Sequence, residues 1–117
     1  MIIADRTAKP AWVAADLCAQ AEHGSGKEKL YLVADSAELV ERCLAEARAQ
    51  ASRLTHGDKI RLALDRMVCA VVVDRLEDAA EVANLVAPEH LELMVAKSKL
   101  NALSARITTA GALLLGH

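Results

Sequence analysis

Phenylalanine is absent from this 117-residue chain, and one Trp and one Tyr are its only aromatic residues. Single-strand nucleic-acid surfaces stack bases on aromatic platforms, so this scarcity argues against that function. Excess positive charge is lacking too: 14 Lys and Arg stand against 16 Asp and Glu, a formal charge of −2. With no basic stripe, neither nucleic acid nor an anionic membrane is an implied partner. No apolar run approaches the roughly 20 residues that cross a bilayer. No signal peptide is visible, since Met1 opens a short strand-like run that meets charge at Asp5 and Arg6. No two of Cys18, Cys43 and Cys69 have the spacing of a CxxC motif. They are expected to be reduced, small apolar core residues of a cytosolic protein and not a disulfide framework or zinc site. Neither GxGxxG nor GxxxxGK[ST] occurs, and the Gly24-Ser25-Gly26 run follows a helix and not a strand, the wrong context for a nucleotide fingerprint.

What is present is aliphatic. Apolar residues make up 54% of the chain, so the core must be built from Ala, Val, Leu and Ile. A chain of this size buries roughly two-thirds of its unfolded surface, enough for one domain over residues 1–117. Apolar runs at Met1–Ala4, Leu30–Ala34, Cys69–Val73, Leu91–Val95 and Ala112–Leu115 predict five strands. Between them the spacing predicts helices. The first runs from Pro10 to about His23, with Trp12, Val13, Leu17 and Ala21 facing the core and the Gly24-Ser25-Gly26 run as its stop. The second begins at a Ser36 cap and runs to about Leu54, with Leu39, Val40, Cys43, Leu44 and Ala47 on one face. Thr55-His56-Gly57 breaks it, and shorter helices follow over Asp58–Met67, Glu77–Val86 and Leu100–Ile107. Ala87-Pro88 ends the fourth, because a residue before proline is pushed out of the helical region.

Alternating strands and helices, with strands apolar on both sides, predict an α/β fold: a mostly parallel, Rossmann-like sheet of about five strands, covered on both faces in three layers. A chain that starts and finishes inside apolar strands is expected to be a piece of something larger.

Two clusters could carry chemistry. Gln20 and His23, in Gln20-Ala21-Glu22-His23, are three apart and share a helix face. An amide oxygen and an imidazole can both ligate zinc, but two ligands do not complete a site. The plainer reading is a polar helix end, where His suits the negative end of the helix dipole. The second cluster is Pro88-Glu89-His90-Leu91-Glu92, between a helix and a strand. An adjacent Glu–His pair on a rigid loop can shuttle protons near neutral pH. The plainer reading is a solvated strand entrance. His56 is expected at the surface, and His117 as an untethered terminal residue.

Taken together, these segments resemble the histidinol dehydrogenase family. Ile3-Ala4-Asp5, Val13-Ala14-Ala15-Asp16-Leu17 and Gln20-Ala21-Glu22-His23-Gly24 are similar to that family's zinc-binding segment. Ala83-Asn84-Leu85-Val86-Ala87-Pro88-Glu89-His90-Leu91-Glu92-Leu93 resembles its catalytic loop, and Ala110-Gly111-Ala112 with Leu115-Gly116 follows in the right order. The resemblance spans essentially this whole chain but only about a quarter of a typical family member. It implies that Gln20 and His23 are zinc ligands and that Glu89 and His90 do acid–base work. It also implies an enzyme that oxidises L-histidinol, an amino alcohol, to L-histidine in two NAD-dependent steps.

In the family the remaining ligands are an Asp shortly beyond this stretch and a His of the partner subunit, and most NAD contacts come from a preceding domain. Lys9-Pro10 departs from the pattern, since an acidic residue often precedes that proline. The isolated chain is therefore expected to be inactive, to hold neither zinc nor NAD tightly, and to form a homodimer or higher oligomer through exposed sheet edges. The alternative is a non-catalytic α/β assembly or binding module that kept the half-fold and lost the chemistry.

Overall fold

The computed structural model describes residues 1–24, 27 and 29–116. Ten elements follow one another: β1 (Ile2–Ala4), α1 (Pro10–His23), β2 (Leu30–Ala34), α2 (Ala37–Ala51), α3 (Gly57–Met67), β3 (Val68–Val72), α4 (Leu76–Val86), β4 (His90–Met94), α5 (Lys97–Ser104) and β5 (Ala112–Leu115). All neighbouring strands pair in parallel, in the order β3-β2-β1-β4-β5. Parallel neighbours cannot be joined by tight turns, so helices carry each crossover. The order leaves a switch point between β1 and β4, where the chain first turns one way and later the other.

Local chemistry explains the boundaries. Pro10 occupies the first turn of α1, where no backbone donor is lost. Ser36 caps α2 by accepting from the Leu39 N–H at 3.3 Å. Side chains alternate between the two sheet faces. Ile2, Ala4, Leu32, Ala34 and Met94 pack with α1, α2 and α3 on one side. Ile3, Val33, Leu91, Leu93 and Val95 pack with α4 and α5 on the other. Alanines at the contacts let the helices sit close, and the Cys18 Sγ reaches the Ala47 carbonyl at 3.4 Å. Burial pushes the Cys43 thiol up to about 11, as suits an inert core cysteine.

Asp5 is the one buried charged residue among those described. It accepts from the Thr7 N–H and hydroxyl, from the Ala96 N–H and from Lys99. It thereby ties the loop after β1 to the loop after β4 at the switch point.

Several expectations change. Trp12 is 44% exposed and lies under the Lys9 ammonium, 4.1 Å from ring centre to Nζ. The buried stripe of α1 is Val13, Ala14, Leu17, Cys18 and Ala21, and Trp12, one residue before it, is turned about 100° away. Cover on both faces holds for β1, β2 and β4 but not for the edges: every residue of β5 is exposed, as are Cys69, Ala70 and Val72 of β3. Helices flank the central strands and leave the outer ones open, so Cys69 is a surface thiol and not a core residue. The last helix begins at Lys97, a turn earlier than its apolar pattern indicates, and α2 stops at Ala51. The expected stop at Ser25-Gly26 and the expected untethered end at His117 lie outside the described residues. No helix among the described residues is long and apolar enough to cross a membrane.

Candidate active site

The last turn of α1 carries Gln20, half-buried, and His23, exposed. The His23 Nδ1 lies 2.8 Å from the Ala19 carbonyl oxygen. A carbonyl only accepts, so Nδ1 donates, and the neutral ring presents its lone pair at Nε2. The chain leaves α4 through Ala87, whose left-handed φ of 49° is the only positive φ at a described non-glycine residue. Its N–H bonds the Ala83 carbonyl at 2.8 Å. Pro88 and Glu89 follow, and β4 starts at His90.

The two sequence clusters meet. Gln20, His23, Glu89 and His90 line one open cleft of about 490 Å³, with Lys29 and Tyr31 at the start of β2 on its wall. The Met1 nitrogen stands between them, donating to the His90 carbonyl at 2.9 Å and to Gln20 Oε1 at 3.4 Å. The cleft lies at the amino ends of β1, β2 and β4. Ligands of open α/β sheets ordinarily sit at the carboxyl ends, and sequence could not decide between the two.

Beneath this row lies a second one. Asp16 is one turn before Gln20 on α1, and Glu92 is two residues after His90 on the same face of β4. Burial, a hydrogen bond with Asp16 and the Asp16 charge push the Glu92 carboxyl up to about 7, against the pull of the Met1 ammonium. Glu92 closes the Pro88–Glu92 cluster, but nothing in the sequence pairs it with Asp16. Glu22 takes no part in this row: it bonds His56 at 2.9 Å, which holds its carboxyl below the usual range, and its carbonyl accepts from Lys59. His56 is thus the surface residue expected.

A tetrahedral zinc site needs four ligands, of which three or more come from protein. Gln20 Oε1 and His23 Nε2 fit two of those positions by donor chemistry. Among the described residues no three His, Cys, Asp or Glu side chains converge as a metal-holding group. Gln20 and His23 are thus two donors of suitable chemistry, short of the three that such a site needs.

An amide and an imidazole face a carboxylate and an imidazole across one cleft on the amino edge of a parallel α/β sheet. The histidinol dehydrogenase family profile matches residues 1–117. The chain is 43% identical to the histidinol dehydrogenase of Rhodopseudomonas palustris over 119 residues, covering 99% of this chain and 26% of that protein. It is 44% identical over 117 residues to that of Leifsonia xyli subsp. xyli, with the same coverage. A crystal structure of histidinol dehydrogenase from Elizabethkingia anophelis superposes with a TM-score of 0.90 at 34% identity, over 99% of this chain and 26% of that one. The chain belongs to the histidinol dehydrogenase family and spans about a quarter of the length of these relatives.

Proposed function

We propose that this chain is the segment of a histidinol dehydrogenase that supplies two zinc ligands, Gln20 and His23, and the acid–base pair Glu89 and His90. The whole enzyme would oxidise L-histidinol through its aldehyde to L-histidine, with NAD taking hydride in both steps. The observation that supports this best is the shared cleft, in which two motifs far apart in sequence face one another.

Zinc, when bound, would polarise the substrate oxygen and hold its amine and imidazole. His90, at the start of a rigid strand, would take the alcohol proton as hydride leaves the adjacent carbon. In the second oxidation Glu89 would take a proton from the water that adds to the aldehyde, and His90 would again accept a proton. His23 is prepared for ligation by its Nδ1 bond to Ala19, which orients the ring.

With half the metal ligands and few dinucleotide contacts, the isolated chain is expected to be inactive. Histidinol-dependent NADH formation by residues 1–117 would overturn that. The function itself is tested by exchanging this segment into the Leifsonia enzyme. The chimera is expected to form NADH and to lose that activity on His90→Gln or Glu89→Gln. A folded chimera without activity would overturn the reading. A homo-oligomer is the expected solution state, because β5 offers an unpaired edge that a second copy can cover. A monodisperse monomer in light scattering would count against it. Two buried free thiols, Cys18 and Cys43, suit a reducing cytosol.

A further inference from the structure

Among the described residues, neither the Glu89 carboxylate nor the His90 ring has a hydrogen-bond partner, and both residues are exposed. Their aim is set by their backbone. That backbone is held by the strand that follows α5: the Gly111 N–H donates to the Pro88 carbonyl at 3.0 Å, and the Ala112 N–H donates to the Glu89 carbonyl at 2.7 Å.

The approach to Gly111 is irregular and exposed from Thr108 to Thr109, so something else must hold it. One side chain does. Asn84, on the last full turn of α4, donates from Nδ2 to the Arg106 carbonyl at 2.8 Å. Its Oδ1 accepts from the Thr108 N–H at 2.8 Å and from the Thr108 and Thr109 hydroxyls at 3.3 Å. The Thr109 hydroxyl also reaches the Asn84 carbonyl at 3.2 Å. An amide is suited to this task because it offers a donor and an acceptor in one plane.

We infer that Asn84 is a positioning residue for Glu89 and His90, acting through the 106–109 loop and the Gly111–Ala112 backbone clamp. The inference rests on the acid–base role proposed above, but its geometry does not. Asn84 never touches the cleft. It fixes the loop, the loop fixes the start of β5, and β5 fixes the carbonyls on either side of the Glu89 Cα.

The test is Asn84→Ala in the 117-residue chain, followed by amide exchange and by NMR of the His90 ring. Exchange at Gly111 and Ala112 is expected to quicken about tenfold, the effect of losing roughly one net hydrogen bond of local stability. The His90 ring signals are expected to shift, while amides of the central strand β1 keep their rates. Asn84→Asp retains the acceptor for Thr108 and Thr109 and is expected to restore most of the protection. A folded Asn84→Ala chain with unchanged exchange at Gly111 and Ala112 and an unchanged His90 ring overturns the inference. Should that variant not fold, Thr109→Val removes one hydroxyl only: a smaller change in the same direction supports the inference, and no change overturns it. In the Leifsonia chimera, Asn84→Ala is expected to lower kcat more than it raises KM. The exchange experiment needs no turnover, so an inactive chimera would remove the catalytic reading while leaving the clamp standing.

Discussion

Gly111 passes so close to Glu89 that a Cβ on it would stand 2.7 Å from the Glu89 carbonyl oxygen. The contact is backbone against backbone, so no side chain can swing aside to relieve it. Gly111→Ala is therefore expected to part β5 from the Glu89 segment at a cost of about 1–3 kcal/mol, the usual range for overpacking. The urea midpoint should fall with an unchanged slope. An unchanged midpoint would show that β5 slides away freely.

Ala87 holds a left-handed backbone that suits glycine better, two residues before Glu89. For an L-residue this conformation costs roughly 1–2 kcal/mol, and glycine's extra unfolded-state entropy offsets about half of that. Ala87→Gly is expected to raise stability by about 0.5–1 kcal/mol, whereas Ala87→Val, β-branched, should lower it by more than about 1 kcal/mol. Thermal unfolding of the two variants beside the parent checks the sign of each.

Glu92 makes stability depend on pH. Its carboxyl is held at about 7 by burial and by Asp16, above its ordinary 4.5. The folded chain thus binds that proton more tightly than the unfolded chain. This stabilisation is complete below pH 4.5 and is lost as pH rises through 7. Glu92→Gln cannot ionise and should be more stable than the parent at pH 8 by roughly 1–2 kcal/mol, with little difference at pH 5. Urea unfolding at the two pH values is the measurement, and parallel losses in both proteins would refute the assignment.

Asp5 works in the opposite direction. Burial alone would raise its carboxyl, but bonds from Thr7, Ala96 and Lys99 outweigh burial and hold it below the ordinary 3.8. Its contribution is present above 3.8 and is lost as pH falls through the lower folded value. Asp5→Asn leaves Lys99 without its counter-charge and is expected to cost about 2–4 kcal/mol at neutral pH, discounted because Lys99 is partly solvated. The deficit, read from urea midpoints, should shrink on acidification.

Much of this architecture is legible in the amino-acid sequence. The five apolar runs, the proline at position 10 and the serine at position 36 locate the elements to within a turn, because they act through local backbone chemistry. Order in the sheet is a different matter. Nothing in Val68–Val72 or Ala112–Leu115 distinguishes an edge strand from a central one, so the exposure of Cys69 and of the β5 leucines had no local signal. Trp12 is similar: a large apolar residue beside the buried stripe matches its pattern, and only the helix phase turns it outward.

The candidate site divides in the same way. Gln20 with His23, and Glu89 with His90, stand out as short motifs. Their meeting depends on β4 lying beside β1, a pairing between strands separated by most of the chain. Asn84 left no signal of its own, since its partners belong to a loop that has no regular structure to predict.

The amino-end location of the cleft puts it on the opposite rim of the sheet from Asp5. The proposed chemistry belongs to the rim formed by Gln20, His23, Glu89 and His90, where the strands begin. On the opposite rim Asp5 bridges Thr7, Ala96 and Lys99 and so ties two loops together. Turns on that side, such as Asp74-Arg75 between β3 and α4, lie a strand's length from the cleft. An insertion in such a turn is expected to leave the geometry of the cleft unchanged.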